Sequence, residues 1–65
     1  MYLYKLEFEL EQNKVHLVVA AENDAEAFKY ADAELEKHFV AMPEVKEAAL
    51  VEKKPIRKGI GYVIE

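Results

Sequence analysis

One amphipathic helical segment, residues 23–42, most constrains what this chain can fold into. Its apolar side chains recur every three or four residues and form one narrow stripe on a helical wheel, made of Phe28, Ala31, Leu35, Phe39 and Met42. Ala27 and His38 flank this stripe, and the opposite side is mostly charged. The rest of the chain has no helical period. We therefore expect a single helix that buries one face against a sheet.

Both ends of this helix carry recognisable signals. Asn23 is a favourable N-cap, and Glu26 follows three residues later, at the spacing of a capping box. Pro43 disfavours helical backbone at the residue before it, so the helix is predicted to continue to Met42 and to end there.

Strand alternation before the helix predicts a β-hairpin. The inward residues of the two strands recur at every second position: Tyr2, Tyr4, Leu6, Phe8 and Leu10, then Val15, Leu17, Val19 and Ala21. If Gln12-Asn13 is a two-residue turn with Asn at positive φ, the numbers of opposed residues sum to 25. In this register Leu10 faces Val15, and every inward residue faces another inward residue.

Two further strands are predicted after the helix. Residues 45–54 form the weaker one, because Ala48-Ala49 permits either parity; the favoured parity places Ala48 and Leu50 inward. Residues 60–64 alternate around Tyr62 and form the last strand. The first and last strands carry the bulkiest inward residues, so they are placed side by side and parallel in the middle of the sheet. The predicted fold is α+β: residues 1–65 form one ββαββ domain, with the helix on one face of a four-stranded mixed sheet of order 2-1-4-3. This layout resembles the β-grasp of bacterial immunoglobulin-binding domains.

A second resemblance covers nearly the whole chain. Three runs carry it: Ala27-Phe28-Lys29-Tyr30, Glu34-Leu35-Glu36-Lys37-His38-Phe39 and Glu52-Lys53-Lys54-Pro55-Ile56-Arg57-Lys58-Gly59-Ile60-Gly61. They are similar to a family of small uncharacterised proteins from Bacillus-type bacteria. The resemblance implies a cytosolic bacterial protein of unknown function, and it assigns no catalytic residue.

Missing residue types exclude several classes of function. The chain has no cysteine, serine, threonine or tryptophan. It therefore has no disulfide framework, no thiolate metal site and no hydroxyl or thiol nucleophile other than tyrosine. No apolar run approaches the length of a membrane span, and the first residues lack the pattern of a signal peptide. We expect a cytoplasmic protein that is not an enzyme, has no cofactor and does not engage a membrane.

The charge is distributed unevenly. The net charge is −4, but residues 1–52 hold five lysines against twelve acidic residues, whereas residues 53–65 are basic. The candidate polyanion-binding residues are the four cations of this predicted hairpin tip: Lys53, Lys54, Arg57 and Lys58. Nucleic-acid binding usually needs more phosphate contacts, together with stacking. A solvated loop is therefore the simpler interpretation, and a nucleic-acid accessory role is the secondary hypothesis.

Three other constellations favour structural interpretations. Glu34 and His38 stand one helical turn apart, at a spacing that could hold a metal, but the pattern supplies no third ligand. The carboxylates of residues 7, 9 and 11 share a solvated sheet face, where nothing tunes them for acid–base chemistry. Gly59 and Gly61 are not followed by a helix, so they do not form a phosphate-binding loop.

The sheet face without a helix is the candidate interaction surface. The candidate partner-binding residues are its exposed apolar side chains: Leu3, Val18, Val51 and Val63. Apolar patches of this kind usually mark interfaces, and edge strands offer unpaired backbone groups. The sequence therefore predicts a small interaction or regulatory module. Its expected partner is another protein or a second copy of the chain, docked on this face or on an edge strand.

Overall fold

A computed structural model describes residues 1–41, 43–61 and 63. The elements are β1 (Tyr2–Leu10), β2 (Lys14–Ala21), α1 (Asp24–His38) and β3 (Val45–Pro55). The three strands form one antiparallel sheet of order β2-β1-β3. The helix packs on one face of this sheet and lies closest to β2.

The predicted four-stranded mixed sheet of order 2-1-4-3 is wrong, and so is its likeness to the β-grasp. β3 occupies the place beside β1 that the sequence pattern assigns to the last strand, and it runs antiparallel to β1. All nine residues of β1 pair with β3, so extended backbone pairing outweighs the bulk of the inward side chains. β1 has a neighbour on both sides, and none of the described residues of the predicted last strand pairs with it. Ile60, Gly61 and Val63 have irregular backbone, and Tyr62 and Ile64 lie outside the described residues.

The hairpin is confirmed, but its predicted register is wrong by two residues. Phe8 pairs with Val15 and Leu6 pairs with Leu17. The Leu10 N–H donates to the Asn13 carbonyl at 2.8 Å, so the turn is centred on residues 11 and 12. No non-glycine residue in the described part of the chain has a positive φ. A shift of two residues preserves parity, and the same side chains therefore face inward.

The core lies between β1, β2 and the helix. Its buried side chains are Tyr4, Leu6, Phe8, Leu10, Val19, Ala21, Ala27, Ala31 and Leu35. On the helix, the small Ala27 and Ala31 are completely buried, whereas Phe28 and Phe39 are only half-buried. The centre of the buried face therefore differs from the prediction, because two alanines let the helix approach the large side chains of β1.

The helix begins as predicted and ends early. The Glu26 N–H donates to Asn23 Oδ1 at 2.9 Å, and Glu26 Oε1 accepts the Glu22 N–H at 3.1 Å. The predicted end at Met42 is wrong, since the helix stops at His38 and Met42 lies outside the described residues. Phe39 has extended backbone and packs against the core, while its N–H still donates to the Leu35 carbonyl at 3.0 Å.

Two β-bulges shape β3. The pairing with β1 skips Lys46 and Val51, each of which is an extra residue on β3. Between the bulges, Ala48 and Leu50 are on the inner face, as predicted, although Ala48 remains exposed. After the second bulge the parity of β3 reverses, so that Lys53 pairs with Tyr4 and faces inward.

We expect Leu35→Ala to lower the free energy of unfolding by about 2–4 kcal/mol. The Leu35 side chain is only 3% exposed, so its removal leaves a cavity in the core. Urea denaturation measures the change, and the exposed Glu36→Ala on the same helix is the control. A loss below about 0.5 kcal/mol, which is the usual range of surface substitutions, would remove Leu35 from the core.

Candidate interaction site

Among the described residues, no strand pairs with the outer edge of β2. The hydrogen bond from Leu10 to Asn13 sets the alternation, so odd-numbered residues of β2 direct their backbone groups toward β1. The backbone N–H and C=O groups of Lys14, His16, Val18 and Ala20 consequently point away from the sheet. No described strand lies beside them. β2 can therefore accept another extended strand.

A groove runs along this edge, between β2 and the helix; we call it the β2–α1 groove. It consists of two adjoining clefts of about 400 Å³ and 430 Å³, which share Leu17 and Glu34 in their walls. One wall is formed by residues 15–20 of β2. The opposite wall belongs to the helix and its cap: Tyr30, Ala33, Glu34, Leu35, Lys37, His38 and Phe39. The end near Val15 faces His38, and the end near Ala20 faces Tyr30, so the helix and the strand run in opposite directions.

The chemistry of the groove is mixed. Leu17 and Ala33 provide apolar surface, while Lys37 Nζ lies 3.4 Å from Glu34 Oε1 in an exposed ion pair. The sequence interpretation did not place His16 near Glu34 and His38, but all three line the same half of the groove. Within the described residues, no three His, Asp or Glu side chains come close enough to hold a metal ion.

The two edges of the sheet differ. β3 carries both bulges, several lysines and a terminal Pro55, which are the devices that discourage edge-to-edge pairing. β2 pairs with β1 in unbroken register and contains neither proline nor a bulge. After Lys14 and His16 its side chains are entirely apolar. β2 is therefore the edge that can accept a strand.

The four predicted partner-binding residues do not form one patch. Leu3 and Val18 are diagonal neighbours on the outer face of the sheet, where Val18 is 36% exposed. Val51 is half exposed, but it lies in a bulge of β3. Val63 is 84% exposed and lies outside the sheet. Of the four, Val18 lies on the β2 edge and lines the β2–α1 groove.

The four cations predicted to bind polyanions do not lie together either. Lys53 faces the inner side of the sheet, and Lys54 lies opposite Leu3 on the outer side. Lys54 Nζ lies 2.9 Å from Glu52 Oε2 and donates to the Gly61 carbonyl at 3.3 Å. The other two cations, Arg57 and Lys58, are exposed in the loop after β3. Gly59 closes that loop with φ of 84°.

A cluster that the sequence interpretation missed joins three elements. The buried Tyr4 of β1 donates its hydroxyl proton to Asp24 Oδ1 at 3.0 Å. Lys53 Nζ of β3 donates to the same oxygen at 3.2 Å and lies 4.4 Å from the centre of the Tyr2 ring. The cluster therefore holds the start of the helix against β1 and β3. Only the bulge at Val51 turns Lys53 inward, and no residue pattern marks that bulge.

The protonation states of the three side chains favour a structural role for the cluster. Burial, together with the hydrogen bond to Asp24, raises the pKa of the Tyr4 phenol. Hydrogen bonds from Tyr4 and then Lys53 lower the pKa of Asp24, and contacts with Tyr4 and then Asp24 raise the pKa of Lys53. The phenol therefore stays neutral at physiological pH, and the ion pair beside it stays charged. A neutral phenol is a poor nucleophile.

We expect Asp24→Asn to destabilise the fold at neutral pH, because the bonds from Tyr4 and Lys53 lose their charged acceptor. The pKa of Asp24 is lowered from its ordinary value of 3.8, so its contribution is complete above that value and is lost as pH falls through the folded pKa. Urea unfolding of both proteins across the acid range should therefore show the difference shrinking at low pH. Asp32→Asn, on an exposed part of the same helix, is the matched control. A difference that stays constant with pH would contradict this role of the carboxylate.

Within the part of the chain that the structure describes, no helix is long and apolar enough to cross a membrane.

Comparison with known proteins identifies one family. A family model for proteins of unknown function, DUF3906, matches residues 1–64. No curated protein and no solved structure matches the chain. Because the family model covers nearly all of its residues, the chain belongs to the DUF3906 family of proteins of unknown function.

Proposed function

We propose that this protein is a small interaction module that docks a protein partner by strand addition at the edge of β2. The single observation that carries the proposal is the row of outward backbone groups on the even-numbered residues of 14–20, beside the β2–α1 groove. In strand addition, main-chain hydrogen bonds supply affinity, and pockets for alternate side chains supply specificity. The groove wall formed by the helix offers such pockets.

Two features of the groove support docking on this edge. Val18 and Ala20 leave room for a neighbouring backbone, and Leu17 and Ala33 supply apolar surface. The ion pair of Lys37 and Glu34 at the rim can orient a polar partner residue.

The three runs that resemble a family from Bacillus-type bacteria support a bacterial protein that acts in the cytoplasm.

A substitution can block the β2 edge without removing a hydrogen bond between β1 and β2. The Val18 N–H points away from β1, so Val18→Pro removes an outward donor but no bond within the sheet. We expect extended peptides selected from a displayed random library on the wild-type protein to bind Val18→Pro about tenfold more weakly, since one backbone hydrogen bond is lost and the proline ring obstructs the peptide backbone beside β2. Titration calorimetry measures the affinity.

Val18→Ala retains the N–H and is the matched control, and circular dichroism checks that both variants keep the wild-type spectrum. Peptides that bind Val18→Pro as tightly as wild type would overturn the proposed edge. So would a wild-type protein that selects no peptide and does not self-associate.

The alternative nucleic-acid role depends on the exposed Arg57 and Lys58. We expect wild type and a variant with glutamine at both positions to show the same weak mobility shift with single-stranded RNA or DNA at physiological salt. Two loop cations provide few phosphate contacts. A wild-type signal that weakens steeply with salt and is absent from the variant would favour the nucleic-acid role instead.

A further inference from the structure

We propose that the strand received at the β2 edge is β2 of a second copy of this chain, paired antiparallel with Val18 on the two-fold axis. The product is a continuous six-stranded sheet with both helices on the same face. This inference rests on the proposed function, because it names the occupant of the same edge.

Parity restricts how two copies of β2 can pair. A two-fold axis perpendicular to the sheet pairs each residue with one whose number completes a constant sum. Only an even sum places inner side chains beside inner side chains. An even sum also pairs the even-numbered residues with each other, and these residues carry the outward backbone groups. An even sum therefore satisfies the two-fold symmetry, the matching of side-chain faces and the hydrogen bonding together.

Among the axes at residues 16, 17 and 18, charge favours the one at Val18. With Val18 on the axis, His16 lies beside Ala20 of the partner subunit, and Lys14 lies beside Glu22 of the partner subunit. The symmetry repeats this opposite-charge contact at both ends of the strand pair. Glu22 can take part because its side chain is 59% exposed, with its Oε2 3.5 Å from the Met1 ammonium. An axis at Leu17 would place Lys14 beside an alanine, and an axis at His16 would oppose two histidines.

The helix fits the same axis. Ala33 and Glu34 line the groove where Leu17 and Val18 form its other wall. An axis through Val18 therefore brings the Ala33 residues of the two helices nearest to each other, and their small side chains permit close approach. Because the helices run in opposite directions, the exposed Tyr30 lies near Lys37 of the partner subunit. A lysine ammonium over a tyrosine ring is a favourable contact.

Size gives a further reason for association. A chain of about 65 residues buries only about 60% of the surface of its unfolded state, and small domains often gain stability from a partner. Pairing along β2 covers the β2–α1 groove and places Val18 beside Val18 of the partner subunit.

Cysteine cross-linking tests the register, because the chain has no cysteine of its own. Val18→Cys places two thiols opposite each other in a hydrogen-bonded pair, where Cα atoms lie about 5.5 Å apart and a disulfide can form. We expect mild oxidation to convert most of this variant to a covalent dimer. His16→Cys and Ala49→Cys should remain mostly uncross-linked, since neither position meets its own copy.

Charge reversal tests the ends of the pair. Sedimentation equilibrium should show a wild-type dimer that dissociates on dilution. Lys14→Glu and Glu22→Lys should each raise the dissociation constant about tenfold, because both ends of the dimer then bring like charges together. The double variant should return close to wild type. Circular dichroism of each variant checks that the monomer fold is kept.

The outcomes separate this inference from the proposed function. A wild-type chain that stays monomeric at high micromolar concentration overturns the dimer, whereas peptide binding that is lost in Val18→Pro would still support docking at the edge. A dimer that does not cross-link through Val18→Cys, or that charge reversal leaves unchanged, overturns the register. A dimer that Val18→Pro also leaves intact overturns self-association at this edge.

Discussion

The structure depends on the burial of β1. This strand forms hydrogen bonds on both sides, and its inner residues Tyr4, Leu6 and Phe8 are among the most deeply buried in the described part of the chain. Burying large side chains of this kind contributes about 1.5–3 kcal/mol each, before the entropy of ordering is subtracted. The Tyr4 hydroxyl carries a polar atom into this core, and Asp24 satisfies it. The helix position and the sheet order both follow from covering this one strand.

The sequence predicted the elements better than their arrangement. Alternation identified the first three strands and the inner faces of β1 and β2, and the Asn23–Glu26 spacing identified the helix start. The hairpin register was not accessible in this way, because a shift of two residues leaves every side chain on the same face. The strand order was predicted from side-chain bulk. In the structure, the length of pairing between β1 and β3 decides it instead.

The candidate site could be predicted only in part. Exposed Val18 and an open edge strand were both accessible from the pattern, but the groove beside them was not. It requires the helix to lie over β2, which depends on which strand occupies the centre of the sheet. The grouping of Val51 and Val63 with Val18 assumed four regular strands. The grouping of Lys53 with Arg57 assumed a strand without the bulge that turns Lys53 toward Asp24.

The difference between the two sheet edges limits how large an assembly can grow. A sheet with two receptive edges adds molecules at both ends and can extend into a fibre, whereas one with a single receptive edge has a valence of one. The bulges, lysines and proline of β3 discourage pairing at that edge, so β2 is the one receptive edge of the described sheet. Once its β2 edge is occupied, by a copy of itself or by another strand, polymerisation stops at that pair. The irregularities of β3 therefore act against open-ended assembly, which involves many molecules, whereas the fold of one chain does not require them.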